Sequence, residues 1–382
     1  MIKEKVMKFK FVCSLLVCLL FLTGAYLPTK NQEPSISAKA MVTIEANTKR
    51  VLYEKNKDER LPMASTTKIM TALCALDNEA NLDEEFEIDS RAVGIEGTSM
   101  YLRKGEKLSL RDLLYGLILP SGNDASCAIA YRISGSIEDF AALMNKKANE
   151  LGLKNTNFVN PHGLDTNGHY TSAYDLAVIT AEALKYPEFV EIIGTKSKSV
   201  KGAGGEQGDT RFLKNKNRLL GTFDGCTGVK TGFTDLAGRC FVASSKRGDL
   251  SVISVVLNCG PMFEECATFM QKAFDEYNYV EVLEPYLFYR KAPVEKGKQS
   301  EVKLWTKQGF YYPLTKEESL KISYEYQMDD VLIAPLEKEQ VVGKLIIKLE
   351  DEVLFETEIY TMDPIKSNDL FENMKEIGEH WN

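Results

Sequence analysis

The chain has 382 residues, enough for two domains, and 44% of them are hydrophobic, enough to build a real core. Charged residues make up 27%, with 47 Lys and Arg against 55 Asp and Glu, giving a formal net charge of −8. No basic patch stands out, so nothing marks nucleic acid as a partner. The acidic balance bears on solubility rather than on fold.

The N-terminus reads as a secretory signal peptide over residues 1–25. Lys3, Lys5, Lys8 and Lys10 precede an apolar run from Phe11 to Leu22, and Thr23-Gly24-Ala25 supplies small residues for cleavage. An uncleaved anchor is the alternative, since the apolar character persists to Leu27. Lipidation at Cys18 is disfavoured by the bulky Leu16 and Val17 before it. Either way the bulk of the chain is expected outside the cytoplasm. Residues 26–39 are a linker, polar from Pro28 to Ser37.

Ala40–Glu45 and Arg50–Tyr53 read as two strands about a turn at Ala46-Asn47-Thr48. Met63–Leu76 reads as a buried helix, because it has little polar surface. Glu85 to about Glu191 is mostly helical in pattern, clearest at Leu110–Leu119 and Ile137–Leu151, with a further helix starting at Ser172. Strand character returns at Val229-Lys230-Thr231, Cys240–Ser244 and Leu250–Leu257, followed by a helix over Phe263–Tyr277. Strands, an inserted helical block, then strands and a final helix suit an α+β fold: one sheet covered by helices, with a helical subdomain at one end. The expected catalytic unit is 40–280.

A Lys-rich stretch with Pro and Gly at Pro293–Gln299 marks a change of character. Short β runs follow at Glu301–Thr306, Ser319–Tyr326, Lys344–Leu349 and Val353–Tyr360, a small β domain placed at 281–362. The tail, 363–382, carries Leu370, Met374, Ile377 and Trp381 at helical spacing. It holds two Lys against five acidic residues, so anionic lipid would repel it. Of the eight cysteines, Cys13 and Cys18 lie in the signal. The others show no C-x-x-C metal spacing and read mostly as free thiols, Cys74 and Cys127 buried in helices.

Three short motifs carry chemistry. In Ser65-Thr66-Thr67-Lys68 a helical spacing of three brings the hydroxyl and the amine together. Serine needs a base beside it, and lysine can be that base if desolvation lowers its pKa. A helix start also offers N–H groups to an oxyanion. A second S-x-x-K, Ser300–Lys303, lies in a strand, where the two side chains point apart, so it is a chance match. Ser121-Gly122-Asn123, after Leu119-Pro120, is expected in a loop, where a hydroxyl and an amide two apart can flank a cleft; alone, this would be an ordinary turn or cap. In Lys230-Thr231-Gly232 a strand presents an amine and a hydroxyl, with a glycine that lets a peptide backbone approach. Only three histidines exist, and without a G-x-S-x-G elbow neither a Ser-His-Asp triad nor a zinc site is expected.

Together and in this order, S-x-x-K, S-x-N and K-T-G form the signature of serine β-lactamases and penicillin-binding proteins. The chain resembles D-alanyl-D-alanine carboxypeptidases over nearly its whole length. The resemblance runs through Ala64–Thr71, Leu119–Ala125, Asn160-Pro161-His162-Gly163-Leu164, Asp224–Thr234 and Ala334-Pro335-Leu336 to Val342-Gly343. It implies a β-lactamase/transpeptidase-like catalytic domain followed by a β domain. It also implies that Ser65 attacks the carbonyl between two terminal D-alanines of a peptidoglycan stem peptide, with Lys68 as base. The N–H groups of Ser65 and Phe233 would form the oxyanion hole, and Ser121 and Lys230 would relay a proton. Asn123 would orient the substrate amide, while Lys230, Thr231 and Gly232 receive the peptide terminus. β-Lactams would acylate Ser65, and no cofactor is implied. Peripheral membrane contact through the tail is the remaining partner the resemblance raises.

Two departures stand out. Gly122 occupies the position of the Asp in S-D-N. The arginine that related enzymes carry on the helix after the last strand has no counterpart in Pro261–Glu265, leaving Arg239 as a candidate carboxylate ligand or a plain surface residue. The competing functions are a serine β-lactamase, disfavoured because no E-x-x-L-N lies between Ser121 and Lys230, and a non-catalytic wall-binding or antibiotic-sensing protein, disfavoured by intact Ser65, Lys68 and Lys230.

Overall fold

A computed structural model describes residues 34–202 and 210–368; the expected signal peptide and residues 369–382 of the expected tail lie outside them. The first strands are β1 (Ala40–Glu45) and β2 (Val51–Lys55). A 3₁₀ turn, Ala64–Thr67, leads into α1 (Lys68–Asn78). The helix expected from Met63 is therefore broken at its start, because Ala64 adopts φ +50, a conformation foreign to helices and uncommon for alanine.

The inserted block follows. A two-stranded ladder, β3 (Glu85–Glu87) and β4 (Lys107–Ser109), precedes α2 (Leu110–Ile118), α3 (Asn123–Ser134) and α4 (Ile137–Glu150). Next come α5 (Ala173–Ala183) and α6 (Pro187–Gly194). Ser109, Ser136 and Ser172 cap α2, α4 and α5, each accepting from the backbone N–H three residues on. Gly135 stops α3 in the left-handed region.

A hairpin of β5 (Ser197–Lys201) and β6 (Thr210–Lys214) precedes β7 (Cys226–Thr234), β8 (Gly238–Arg247), β9 (Leu250–Leu257) and α7 (Met262–Glu276). The main sheet runs β2-β1-β9-β8-β7, antiparallel throughout. Leu250–Leu257 is almost uniformly apolar because β9 is central and packed by α5 and α7. β7 is an edge strand and packs on the Ala64–Thr67 turn. This contact joins the first and last sequence motifs. The core continues from this sheet into α1–α5.

The β domain contains β10 (Asn278–Leu283), β11 (Phe288–Glu295), β12 (Glu301–Trp305) and β13 (Phe310–Leu314), then the short helix α8 (Lys316–Ser319). β14 (Ile322–Met328), β15 (Leu332–Ile333), β16 (Val341–Leu349) and β17 (Glu352–Thr361) complete it. Its sheet order is β14-β16-β17-β12-β11-β15, with β10 paired to β13. The break in composition at Pro293–Gln299 is the β11–β12 hairpin turn. Ser319, expected in a strand, instead ends α8, since Thr315 and Glu318 form a reciprocal capping box. Val302, Leu304, Leu345, Ile347 and Ile359 form this domain's own core, and Ile365 joins them, bridged to Leu336. Arg50 ties the domains together. Its guanidinium donates to Glu318 and to the Pro313 carbonyl, and lies 5.4 Å and 5.0 Å from the rings of Tyr277 and Tyr312.

Candidate active site

The cleft, about 950 Å³, is lined by Ser65, Ser121, Asn123, Thr231, Gly232, Phe233 and Arg239. The three motifs, more than 160 positions apart from first to last in the chain, therefore converge. Ser65 is half-buried in the 3₁₀ turn. Lys68 opens α1 fully buried, and its Nζ donates to Ser65 Oγ at 2.9 Å, to Asn123 Oδ1 at 2.7 Å and to the His162 carbonyl at 2.8 Å. Among the described residues no carboxylate pairs with it. Burial, with the positive charge of Lys216 adding to it, lowers its pKa to about 7. A lysine this easily deprotonated can serve as a base near neutral pH.

The Asn160–Leu164 loop is fitted against this turn. Gly163 sits at φ +88, and a Cβ there would come within 1.9 Å of the Ala64 carbonyl oxygen, so only glycine fits. Thr71 Oγ1 donates to the Pro161 carbonyl at 2.6 Å. His169, buried, and His162, half-buried, serve the scaffold. His169 Nδ1 accepts from Val159 N–H at 3.0 Å, which leaves Nε2–H to donate to Thr67 Oγ1 at 2.9 Å, while Thr67 itself donates to the Ala64 carbonyl. Burial pushes the His169 pKa down to about 4 and that of His162 to about 3, the latter aided by the charge of Lys68.

Ser121 lies in the turn between α2 and α3 at φ +70. Its Oγ is buried and has no hydrogen-bond partner among the described residues, an arrangement that native interiors rarely leave without a purpose. Asn123 is the first residue of α3 rather than a loop residue. It is engaged on both sides, accepting from Lys68 and donating through Nδ2 to the Glu96 carbonyl at 2.6 Å. Lys230 is buried on β7 and donates to the Thr231 carbonyl at 2.9 Å. Burial, then the charges of Lys68 and Lys216, holds its pKa well below the usual lysine value. Gly232 lets β7 run along the turn: a Cβ there would lie 3.0 Å from Ser65 N and 3.1 Å from the Met63 carbonyl oxygen. Phe233 is 63% exposed at the rim.

Residues 28–260 match the family model for D-alanyl-D-alanine carboxypeptidase (peptidase S11), and residues 278–367 match the penicillin-binding protein 5 C-terminal domain. The chain belongs to the D-alanyl-D-alanine carboxypeptidase family. It is 37% identical to D-alanyl-D-alanine carboxypeptidase DacF of Bacillus subtilis, over 92% of each chain. It is 36% identical to a D-alanyl-D-alanine carboxypeptidase of a Streptomyces species, over 61% of this chain and 85% of that one. Among solved structures, penicillin binding protein 5 of Haemophilus influenzae superposes with a TM-score of 0.73 and 30% identity, over 88% of this chain and 99% of that one. As a member of this family the chain is a serine-type peptide hydrolase, and the paired catalytic and β domains are the family architecture.

Against that family frame, Arg239 is both an exposed strand residue and part of the cleft wall, its Nη1 donating to the Gly260 carbonyl at 3.3 Å. Lys214, Lys216 and Arg218 line the same cleft and were missed from sequence. The signal was present as three cations in five residues just ahead of the K-T-G strand. Gly97 and Thr98 were missed as well. They come from an irregular loop with no motif of its own.

Proposed function

We propose that the chain removes the terminal D-alanine from peptidoglycan stem peptides through an acyl-enzyme on Ser65. Neutral Lys68 takes the Ser65 proton as Oγ attacks the carbonyl of the penultimate D-alanine. The N–H groups of Ser65 and Phe233 receive the negative charge on the carbonyl oxygen. The C–N bond breaks as Ser121 and Lys230 pass the proton held by Lys68 on to the departing D-alanine amine, which returns Lys68 to its neutral form. Water then hydrolyses the ester, with Lys68 again handling the proton. Asn123 holds Lys68 in the resting enzyme and turns toward the substrate amide when a peptide binds. Thr231, Gly232 and Lys230 receive the peptide terminus, with Arg239 as a further ligand for its carboxylate. A β-lactam acylates Ser65 in the same way, but its leaving nitrogen stays tethered through the rest of the opened ring system, so the ester persists.

The observation that supports this reading most is the 2.9 Å contact of a fully buried Lys68, paired with no carboxylate among the described residues, with Ser65 Oγ. Release of free D-alanine from a pentapeptide ending in D-Ala-D-Ala tests it. Release by the parent and none by Ser65→Ala is expected; undiminished release by Ser65→Ala would overturn it.

In this reading the expected catalytic unit, 40–280, gives way to the β domain where β10 begins at Asn278, that domain runs past 362 to include Ile365, and 1–25 is an export signal that leaves the enzyme at the cell wall. N-terminal sequencing of the mature protein tests the last point. Among the described residues no helix is long and apolar enough to cross a membrane. Contact of the tail with the membrane surface is tested by fractionating the full chain against one ending at Asn368, which retains the buried Ile365. Its net charge of −3 over 363–382 predicts equal distribution.

A further inference from the structure

Asp124 directly follows the S-x-N motif and is 1% exposed. Among the described residues no cation pairs with it, and its ligands there are all neutral donors. Oδ2 accepts from Ser99 Oγ at 2.5 Å and Leu102 N–H at 3.0 Å. Oδ1 accepts from Met100 N–H at 3.0 Å and from Ala125 N–H at 2.9 Å. Three of these four donors belong to the loop that lines the cleft with Gly97 and Thr98. The same loop reaches the Ser121–Asn123 turn three times more. Thr98 Oγ1 donates to the Ser121 carbonyl, the Thr98 carbonyl accepts from Asn123 N–H at 2.7 Å, and the Glu96 carbonyl accepts from Asn123 Nδ2. Asn123 in turn accepts from Lys68. Gly122 makes room for this arrangement: a Cβ there would meet Asp124 Oδ1 at 2.8 Å, the Gly116 carbonyl oxygen at 3.0 Å and Met100 N at 3.2 Å. This explains the glycine in the middle of S-x-N.

We propose that Asp124 is a positioning residue for the reaction: its buried carboxylate clamps residues 96–102 onto the Ser121–Asn123 turn and so fixes Asn123 and, through it, the Lys68 amine. The inference rests on Ser65 and Lys68 as nucleophile and base, a reading that fails separately if Ser65→Ala still takes up a penicillin label. Two consequences follow. Loosening the clamp lets the amine and the hydroxyl drift apart, and a misplacement of about 1 Å costs on the order of 10²-fold in rate. In addition, Asp124 is an anion close enough to favour the charged form of Lys68, so removing its charge lowers the pH at which Lys68 becomes a free base. The other groups facing Lys68 are Cys127 on α3, Lys216 from the cleft wall, Lys230 on β7 and His162 from its loop; none is altered by the substitution.

The test is the second-order rate of Ser65 acylation by a fluorescent penicillin across pH, for the parent, Asp124→Asn and Ser99→Ala, alongside melting curves. Asp124→Asn is expected to lower the plateau rate about 10²-fold and to shift the acid limb to lower pH. Ser99→Ala, which removes one ligand and keeps the charge, is expected to lower the plateau about fivefold with the acid limb unmoved. A loss of melting temperature alone, with plateau and acid limb as in the parent, would make Asp124 a merely structural residue and overturn the proposal. If Asp124→Asn does not fold, a parental plateau in Ser99→Ala overturns it equally.

Discussion

The two domains place their polar groups differently. Around the cleft, Lys68, Ser121, Asn123, Asp124, His169 and Lys230 are all buried; left-handed non-glycine residues, which cost roughly 1–3 kcal/mol each, occur in both domains, at Ala64 and Ser121 here and at Tyr286, Lys296, Glu339 and Glu350 in the β domain. In the β domain the core is aliphatic, while pairs such as Lys291–Glu301 and Lys348–Glu325 on strands and Lys321–Glu350 at strand ends lie at the surface. Exposed pairs of this kind contribute about 0–1 kcal/mol. The β domain is therefore held by ordinary burial. The catalytic domain retains costly buried polar groups because the chemistry needs an amine stripped of water beside a hydroxyl.

Changes in the cleft should alter rate far more than stability, and changes in the β domain the reverse. The largest effect is expected from Lys68→Ala, which removes the proposed base and should lower Ser65 acylation by about 10²–10⁴-fold. It also removes a buried amine with a depressed pKa, so the melting temperature should fall little or even rise. A collapse in stability with modest loss of rate would break the comparison. The pH profile comes next. Because burial lowers the Lys68 pKa to about 7, the base is neutral above that pH and protonated below it. Acylation measured from pH 8 to pH 5 should fall about 10²-fold, tenfold per unit well below the pKa; a flat profile would show that Lys68 is not the titrating base. In the other domain, Ile347→Ala should cost about 2–5 kcal/mol of stability, read by denaturant unfolding, while kcat per folded molecule stays within about twofold of the parent. A large fall in kcat would mean that the β domain shapes the cleft. The smallest effect is expected at Arg239. Arg239→Ala should raise KM for a D-Ala-D-Ala peptide several-fold with kcat unchanged, since Lys214, Lys216 and Arg218 line the same cleft. An unchanged KM would remove Arg239 from the site.

The sequence carried the main elements where pattern is local. Alternation and β-branched runs located β1, β8 and β9, and apolar periodicity located α2, α4 and α7. The motifs located Ser65, Lys68, Ser121, Asn123 and the Lys230–Phe233 strand, which line or adjoin one cleft. Elsewhere the fold depends on contacts between distant segments. The β5–β6 hairpin contains few β-branched residues and is held by pairing, with Arg211 of β6 bound to the buried Glu106. The break at Ala64 is imposed by the Asn160–Leu164 loop, about 100 positions away, whose Gly163 packs on the Ala64 carbonyl. Asp124 looks like an unremarkable first-turn helix acid until the 96–102 loop is folded over it. Beyond the motif lysines Lys68 and Lys230, only Arg239 of the cations lining the cleft was anticipated, because Lys214–Arg218 belongs to no recognised motif.

The central claim is that one hydroxyl, Ser65 Oγ, is made nucleophilic by the buried amine beside it. Mass spectrometry of the intact protein after brief exposure to a penicillin, with peptide mapping, tests this most directly. A single adduct of the whole drug's mass, confined to the peptide bearing Ser65 and absent from Ser65→Ala, is the predicted result; an adduct of equal yield that survives in Ser65→Ala, or no adduct in the parent, would contradict it.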